Sequence, residues 1–119
     1  MKIEHYKLLN NIIEAGGKHE YVNDSDLERY VLRNKEGIPH SLNGPAIVYV
    51  NHFSAEWYIN GIYHNEKSPA IIYGDGEMRW YLNDQLHRDD GPAVIWPNGS
   101  CEWWINGKMI KAEYIEDEQ

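Results

Sequence analysis

The sequence contains a single cysteine, Cys101, among its 119 residues. An internal disulfide is therefore excluded, and the cysteine usage gives no sign of an oxidising compartment. Phenylalanine also occurs once, against five Trp and nine Tyr. Bulky burial must come mainly from indoles and phenols, each of which carries a polar atom that needs a partner. No apolar run approaches the length of a membrane-spanning helix. Residues 1–10 mix Lys2, Glu4, His5 and Lys7 into the apolar positions, so no signal-peptide core is expected there. Cations are scarce as well. Eleven Lys and Arg face nineteen Asp and Glu, for a net charge of −8. That balance disfavours direct binding to nucleic acid or to an anionic membrane, and the expected location is the cytoplasm. The length suits one domain that buries about two thirds of its unfolded surface.

Enzyme signatures are missing too. The chain has no Gly-rich phosphate loop, no nucleophile elbow and no metal motif at ligand spacing. The sequence therefore predicts neither catalytic residues nor a cofactor.

What is present is a repeat. Residues 40–61 read HSLNGPAIVYVNHFSAEWYING, residues 64–84 read HNEKSPAIIYGDGEMRWYLND, and residues 87–107 read HRDDGPAVIWPNGSCEWWING. Trp57, Trp80 and Trp103 recur at intervals of 23, as do Asn60, Asn83 and Asn106. Pro45, Pro69 and Pro92 are spaced by 24 and 23, which assigns the first copy one extra residue between Tyr49 and Trp57. The expected division is a helix over residues 1–17, a degenerate repeat over 28–39, repeats over 40–62, 63–85 and 86–110, and an acidic tail over 111–119. The helix follows from Ile3, Tyr6, Leu9 and Ile13 at helical spacing before Gly16 and Gly17. An atypical first copy is the usual cap of a repeat array.

Each copy offers two short runs rich in β-branched and aromatic residues, such as Ala-Ile-Ile-Tyr and Arg-Trp-Tyr-Leu. Asp75-Gly76 and Asn98-Gly99 lie between the runs and suit two-residue type I′ turns. Asn60-Gly61, Asn83-Asp84 and Asn106-Gly107 follow the second run as another tight turn. The predicted architecture is mainly β: an antiparallel meander of stacked hairpins with a short N-terminal helix. A two-residue loop would place Tyr73 opposite Met78, Ile71 opposite Trp80, Trp96 opposite Cys101 and Val94 opposite Trp103. One face would then carry the Trp column at 57, 80 and 103 as the core. The other would carry Glu56, Tyr58, Arg79, Tyr81, Glu102 and Trp104.

The hairpins and the Trp-Tyr-x-Asn-Gly runs resemble the MORN-repeat variants of bacteria and phages, over roughly residues 28–110. The linker His-Arg-Asp-Asp-Gly-Pro-Ala, residues 87–93, is similar to a form found in phage-encoded members. The resemblance implies an elongated antiparallel sheet used for protein or lipid contact, and some relatives are labelled antitoxins. No catalytic residue travels with the motif. Ser68 departs from the pattern, where the other copies have Gly44 and Gly91, and so does Asp84.

The recurring His40, His64 and His87 suggest a metal column, but equivalent residues in successive hairpins stand two strands apart, about 9 to 10 Å. One zinc needs its nitrogens about 2 Å away. The expected role is a hydrogen bond from each His to a backbone carbonyl in the reversal. Cys101 shares its repeat position with Ala55 and Met78 and reads as a packed thiol. Tyr, Trp and Arg on the mixed face are the types enriched at interface hot spots, and cross-strand support of a half-exposed sheet is the plainer alternative. The leading expectation is a non-enzymatic protein-binding module, phage-encoded, that inhibits or modulates a host protein such as an anti-phage defence component. A basic, nucleic-acid-binding enzyme would suit the charge. Nucleotide capture on the aromatic face, an antitoxin-like or membrane-associated structural role, and a homodimer through open strand edges are the alternatives.

Overall fold

The computed structural model describes residues 19–24 and 27–116. The helix expected over 1–17 lies outside them. The described chain is mainly β and antiparallel. Its main sheet has nine strands: β1 (Glu20–Asp24), β2 (Leu27–Val31), β3 (Ile47–Tyr49), β4 (Ser54–Glu56), β7 (Ile71–Ile72), β8 (Met78–Arg79), β11 (Val94–Ile95), β12 (Cys101–Ile105) and β13 (Lys108–Glu113), in that spatial order. Two excursions from it form small hairpins, β5 (Tyr58–Ile59) with β6 (Ile62–Tyr63), and β9 (Tyr81–Leu82) with β10 (Gln85–Leu86). No helix among the described residues is long and apolar enough to cross a membrane.

The two kinds of turn differ from the sequence expectation in an instructive way. Asn60 and Gly61 have φ of 48° and 81°, Asn83 and Asp84 have 49° and 67°, and Asn106 and Gly107 have 48° and 79°. These left-handed pairs are the type I′ turns, and they close Tyr58 against Tyr63 and Tyr81 against Leu86. At Asp75-Gly76 and Asn98-Gly99 only the glycines have positive φ. The Gly76 N–H donates to the Tyr73 carbonyl at 3.0 Å, and the Tyr73 N–H donates to Glu77 at 2.8 Å. Gly99 with Trp96, and Trp96 with Ser100, repeat this pattern at 2.9 Å each. This is a three-residue loop, a type I turn followed by a left-handed glycine. Pro97 stands at the second position of its turn, where a fixed negative φ fits type I; a type I′ turn on Asn98-Gly99 would place it at the first position, where the closing pair needs an N–H that proline lacks.

One extra loop residue shifts the pairing by one. Ile72 faces Met78, Ile71 faces Arg79, Ile95 faces Cys101 and Val94 faces Glu102. The expected Tyr73–Met78, Ile71–Trp80, Trp96–Cys101 and Val94–Trp103 pairs do not form. The first strand of each hairpin therefore turns over relative to the second, as a one-residue slip requires. Ile47, Ile71 and Val94 join Glu56, Arg79 and Glu102 on one side. Val48, Ile72 and Ile95 join Ala55, Met78 and Cys101 on the other, with the three Trp.

The Trp column is accordingly not the buried core. Trp57, Trp80 and Trp103 are half-buried. The fully enclosed residues are small: Ala46, Ala55, Ala70 and Ala93 at 0%, Val94 at 1%, Val31 at 2% and Ile71 at 3% exposure. Trp57 packs against Val48 and Ala55 on one side of the sheet. Tyr58, Tyr49 and Val22 pack against Val31, Ala46 and Ile47 on the other.

The chain leaves the main sheet at Trp57 and again at Trp80. The Trp57 N–H donates to the Ala70 carbonyl at 2.7 Å while its carbonyl accepts from His64, and Trp80 relates to Ala93 and His87 in the same way. Leu32 holds the equivalent place earlier in the chain, donating to Ala46 and accepting from His40. In the first copy Tyr49 faces Ser54, so residues 50–53 form a longer loop, as the spacing predicted. That loop presses on the next one: a Cβ at Gly74 would run into the backbone carbonyl of His52. Gly76 has open space around it but a φ of 102°. Gly76→Ala should cost about 1 kcal/mol of left-handed strain. Gly74→Ala must move backbone and should cost more than that, about 2 to 3 kcal/mol. Urea unfolding of the two variants checks the order.

Candidate protein-binding face

Glu56, Arg79 and Glu102 occupy equivalent positions next to the hydrogen bonds that zip one hairpin to its neighbour. Each lies across the ladder from a buried aliphatic: Ile47 and Ile71 flank Glu56, Ile71 and Val94 flank Arg79, and Val94 faces Glu102. Two residues on, past the bend at Trp57 or Trp80, come Tyr58 and Tyr81; in the third copy the continuous strand β12 carries Trp104. All six are half-buried.

The structure brings these six residues into two groups. In the first, the Glu56 carboxylate accepts the Tyr58 hydroxyl at 3.1 Å and the Tyr63 hydroxyl at 3.3 Å, one on each oxygen. The Tyr58 and Tyr63 rings stack with centroids 4.6 Å apart, and Tyr63 and Tyr81 stack at 5.1 Å. Arg79 borders the stack. Its Nε donates to Glu77 at 2.7 Å and its guanidinium lies 5.9 Å from the Tyr73 ring. In the second group Glu102 accepts from the Trp104 indole N–H at 2.9 Å and from the Tyr114 hydroxyl. Arg79 thus pairs with Glu77, just ahead of its own strand, and among the described residues the Glu-Arg-Glu alternation forms no ion-pair ladder.

Tyr63 and Tyr114 were not singled out from the sequence. Tyr63 was legible in principle. A type I′ turn at Asn60-Gly61 puts it directly opposite Tyr58, and its place in the other copies is filled by Leu86 and Met109. Tyr114 follows the last repeat and had no periodic signal.

Electrostatics in the first group follow from burial. Desolvation pushes the Glu56 carboxyl above its ordinary range, and the two tyrosine hydroxyls pull it part of the way back. Tyr63 is pushed up to about 12, first by burial and then by the neighbouring carboxylate, against a hydrogen bond from Tyr58 that lowers it. Tyr58 is raised further still, by burial first and then by the Tyr63 hydroxyl. Burial pulls the Arg79 guanidinium down, but the Glu77 carboxylate and the Tyr81 hydroxyl outweigh it. The Glu56 carboxyl and both tyrosine hydroxyls are thus partnered within the group.

The histidine column is structural, with the opposite polarity to that expected. Nδ1 of His40, His64 and His87 accepts the backbone N–H of Asn60, Asn83 and Asn106 at 2.9, 3.1 and 2.9 Å. The partner is a turn N–H, not a carbonyl, because the left-handed Asn leaves its amide directed at the ring. Nδ1 must then be bare and the proton sits on Nε2, which meets Glu66 at 3.4 Å and Asp89 at 3.1 Å. Among the described residues, no three His, Cys, Asp or Glu side chains converge as a metal site.

A raised carboxyl pKa favours the protonated form in the folded state. Its contribution is complete below the unfolded value of 4.5 and is lost as pH rises through the higher folded value. Glu56→Gln removes this dependence while keeping a hydrogen-bonding group. The variant should gain stability relative to the parent as pH rises from about 4 to 8. Thermal unfolding across that range checks it, and a constant or falling difference contradicts it.

Compared with family models, with curated proteins and with solved structures, the chain matches none.

Proposed function

We propose that the chain is a non-enzymatic protein-binding module. Its contact surface is the strip of Glu56, Tyr58, Arg79, Tyr81, Glu102 and Trp104, extended by Tyr63. The observation that supports this reading is the Tyr58–Tyr63–Tyr81 stack fixed on Glu56. Aromatic rings already held in place lose little freedom when a partner covers them, so more of the contact energy appears as affinity. Tyr, Trp and Arg are the residues that most often dominate such surfaces. Every carboxylate of the strip is committed to a tyrosine or an indole, which suits a contact face better than acid–base chemistry.

The net charge of −8 favours fast association with a basic partner. A nucleic-acid-binding enzyme whose groove the protein blocks fits that description. The nine-stranded antiparallel sheet is compatible with membership of the MORN-repeat variants, and the linker over residues 87–93 supports a phage origin with a host defence protein as target. A second reading is an edge-to-edge homodimer through the outer strand β13. Met109 and Ile110 there are 49% and 65% exposed, and an open apolar edge invites strand pairing.

Tyr81→Ala and Trp104→Ala should keep the fold and lose the proteins captured by the parent from a bacterial lysate, each weakening binding at least tenfold. Folded variants that retain every captured protein contradict the assignment of this face.

A further inference from the structure

The repeats stack a cation on an indole in two places. The Arg88 guanidinium lies 4.0 Å from the ring centre of Trp80, and the Lys111 ammonium lies 4.5 Å from that of Trp103. Among the described residues none does so at Trp57, which floors a groove of about 440 Å³ with Ile59. Leu42, Asn65, Glu66 and Lys67 rim it. The groove at Trp80, about 390 Å³, lies between the other side of that linker and the equivalent linker of the next copy, His87 to Asp90.

The sequence explains why the two differ. Arg88 reaches Trp80 while Nη1 donates to the Pro92 carbonyl at 3.1 Å and Nε to Asp90 at 3.0 Å. Its equivalent is Asn65. Asn65 keeps the carbonyl contact, to Pro69 at 3.0 Å, and adds Ser68 Oγ at 2.8 Å, but it is too short to extend over Trp57. Position 91 is also decisive. A Cβ on Gly91 would sit 2.9 Å from the Arg88 guanidinium carbon, and the second copy has Ser68 there. Asn65 and Ser68 together leave the indole uncapped.

We propose that the Trp57 groove receives an arginine side chain from a basic polypeptide, placed as Arg88 is placed on Trp80. The proposal rests on the reading of the chain as a binder of a basic protein, but it uses the opposite side of the sheet from the Tyr strip. The Trp80 groove supplies the geometry: an indole floor, flanking aliphatic Leu82 and a carboxylate within reach of the guanidinium. At Trp57 the place of Asp90 is taken by Lys67, and the carboxylate on the groove rim is Glu66, the equivalent of Asp89. Guanidinium is weakly hydrated and stacks flat on indoles. The overall charge of −8 favours the approach of a cationic segment and makes it salt-sensitive.

The probe is tri-arginine, titrated at low salt while the indole N–H resonances are followed by NMR. The Trp57 resonance should move and saturate, with Trp80 and Trp103 nearly still, and tri-lysine should bind more weakly. The double variant Asn65→Arg with Ser68→Gly restores the Arg and the Gly of the third linker, so it should keep the fold and weaken tri-arginine at least tenfold. Arg88→Asn uncovers Trp80 and should make a second indole respond. No saturable Trp57 shift, equal shifts at all indoles, or tri-lysine binding as tightly as tri-arginine would overturn the proposal. So would a folded double variant that binds as the parent does. None of these results bears on capture through Tyr81 and Trp104, so the two readings fail separately.

Discussion

One backbone arrangement, repeated three times, holds the rest in place. The N–H groups of Ala46, Ala70 and Ala93 donate to the carbonyls of Glu56, Arg79 and Glu102, and their own carbonyls accept from Leu32, Trp57 and Trp80, all at 2.7 to 2.9 Å. Each alanine is therefore tied to its own hairpin on one side and to the preceding copy on the other. Each is also fully enclosed. A larger side chain there would separate strands that must lie at ladder spacing. The preceding Pro45, Pro69 and Pro92 set the extended entry into these residues.

Past this line the chain forks. At Trp57 and Trp80 it leaves the main sheet for a small hairpin, and the His that follows caps the next Asn turn through Nδ1. This second tier brings Tyr58, Tyr63 and Tyr81 into one stack, although they come from separate copies or from opposite arms of one hairpin. It also leaves each indole half-covered from the other side, where the linkers either place a cation on the ring or do not. The aromatic strip and the indole grooves are thus two products of the same fork.

Much of this was legible in the sequence. The repeat, its strands, the longer first loop and the tight Asn turns followed from spacing and turn chemistry. The register did not, because Asp-Gly and Asn-Gly serve both a type I′ turn and the end of a type I turn with a left-handed glycine. Pro97 was the residue that decided between them in the third copy, because it lacks the N–H that would close a type I′ turn on Asn98-Gly99. The error carried into the faces, since a one-residue slip turns a whole strand over. It also made the Trp column look like the core, where the enclosed residues are in fact alanine and β-branched aliphatics. All six face residues lie on or just beyond the second strand of a hairpin, and the structure divides them between two groups. Their internal bonds were hidden, since Tyr63 and Tyr114 lie outside the repeated Trp-aromatic run. The direction of the His contact depends on the orientation of a left-handed turn amide, which residue type alone does not reveal.

The most direct test of the alanine line is amide hydrogen exchange, residue by residue, in the native protein. The N–H groups of Leu32, Ala46, Trp57, Ala70, Trp80 and Ala93 should form the slowest group and open together near the global unfolding free energy. If they exchange as fast as the turn amides of Asp75 and Asn98, the copies are not locked at that line and the account is wrong.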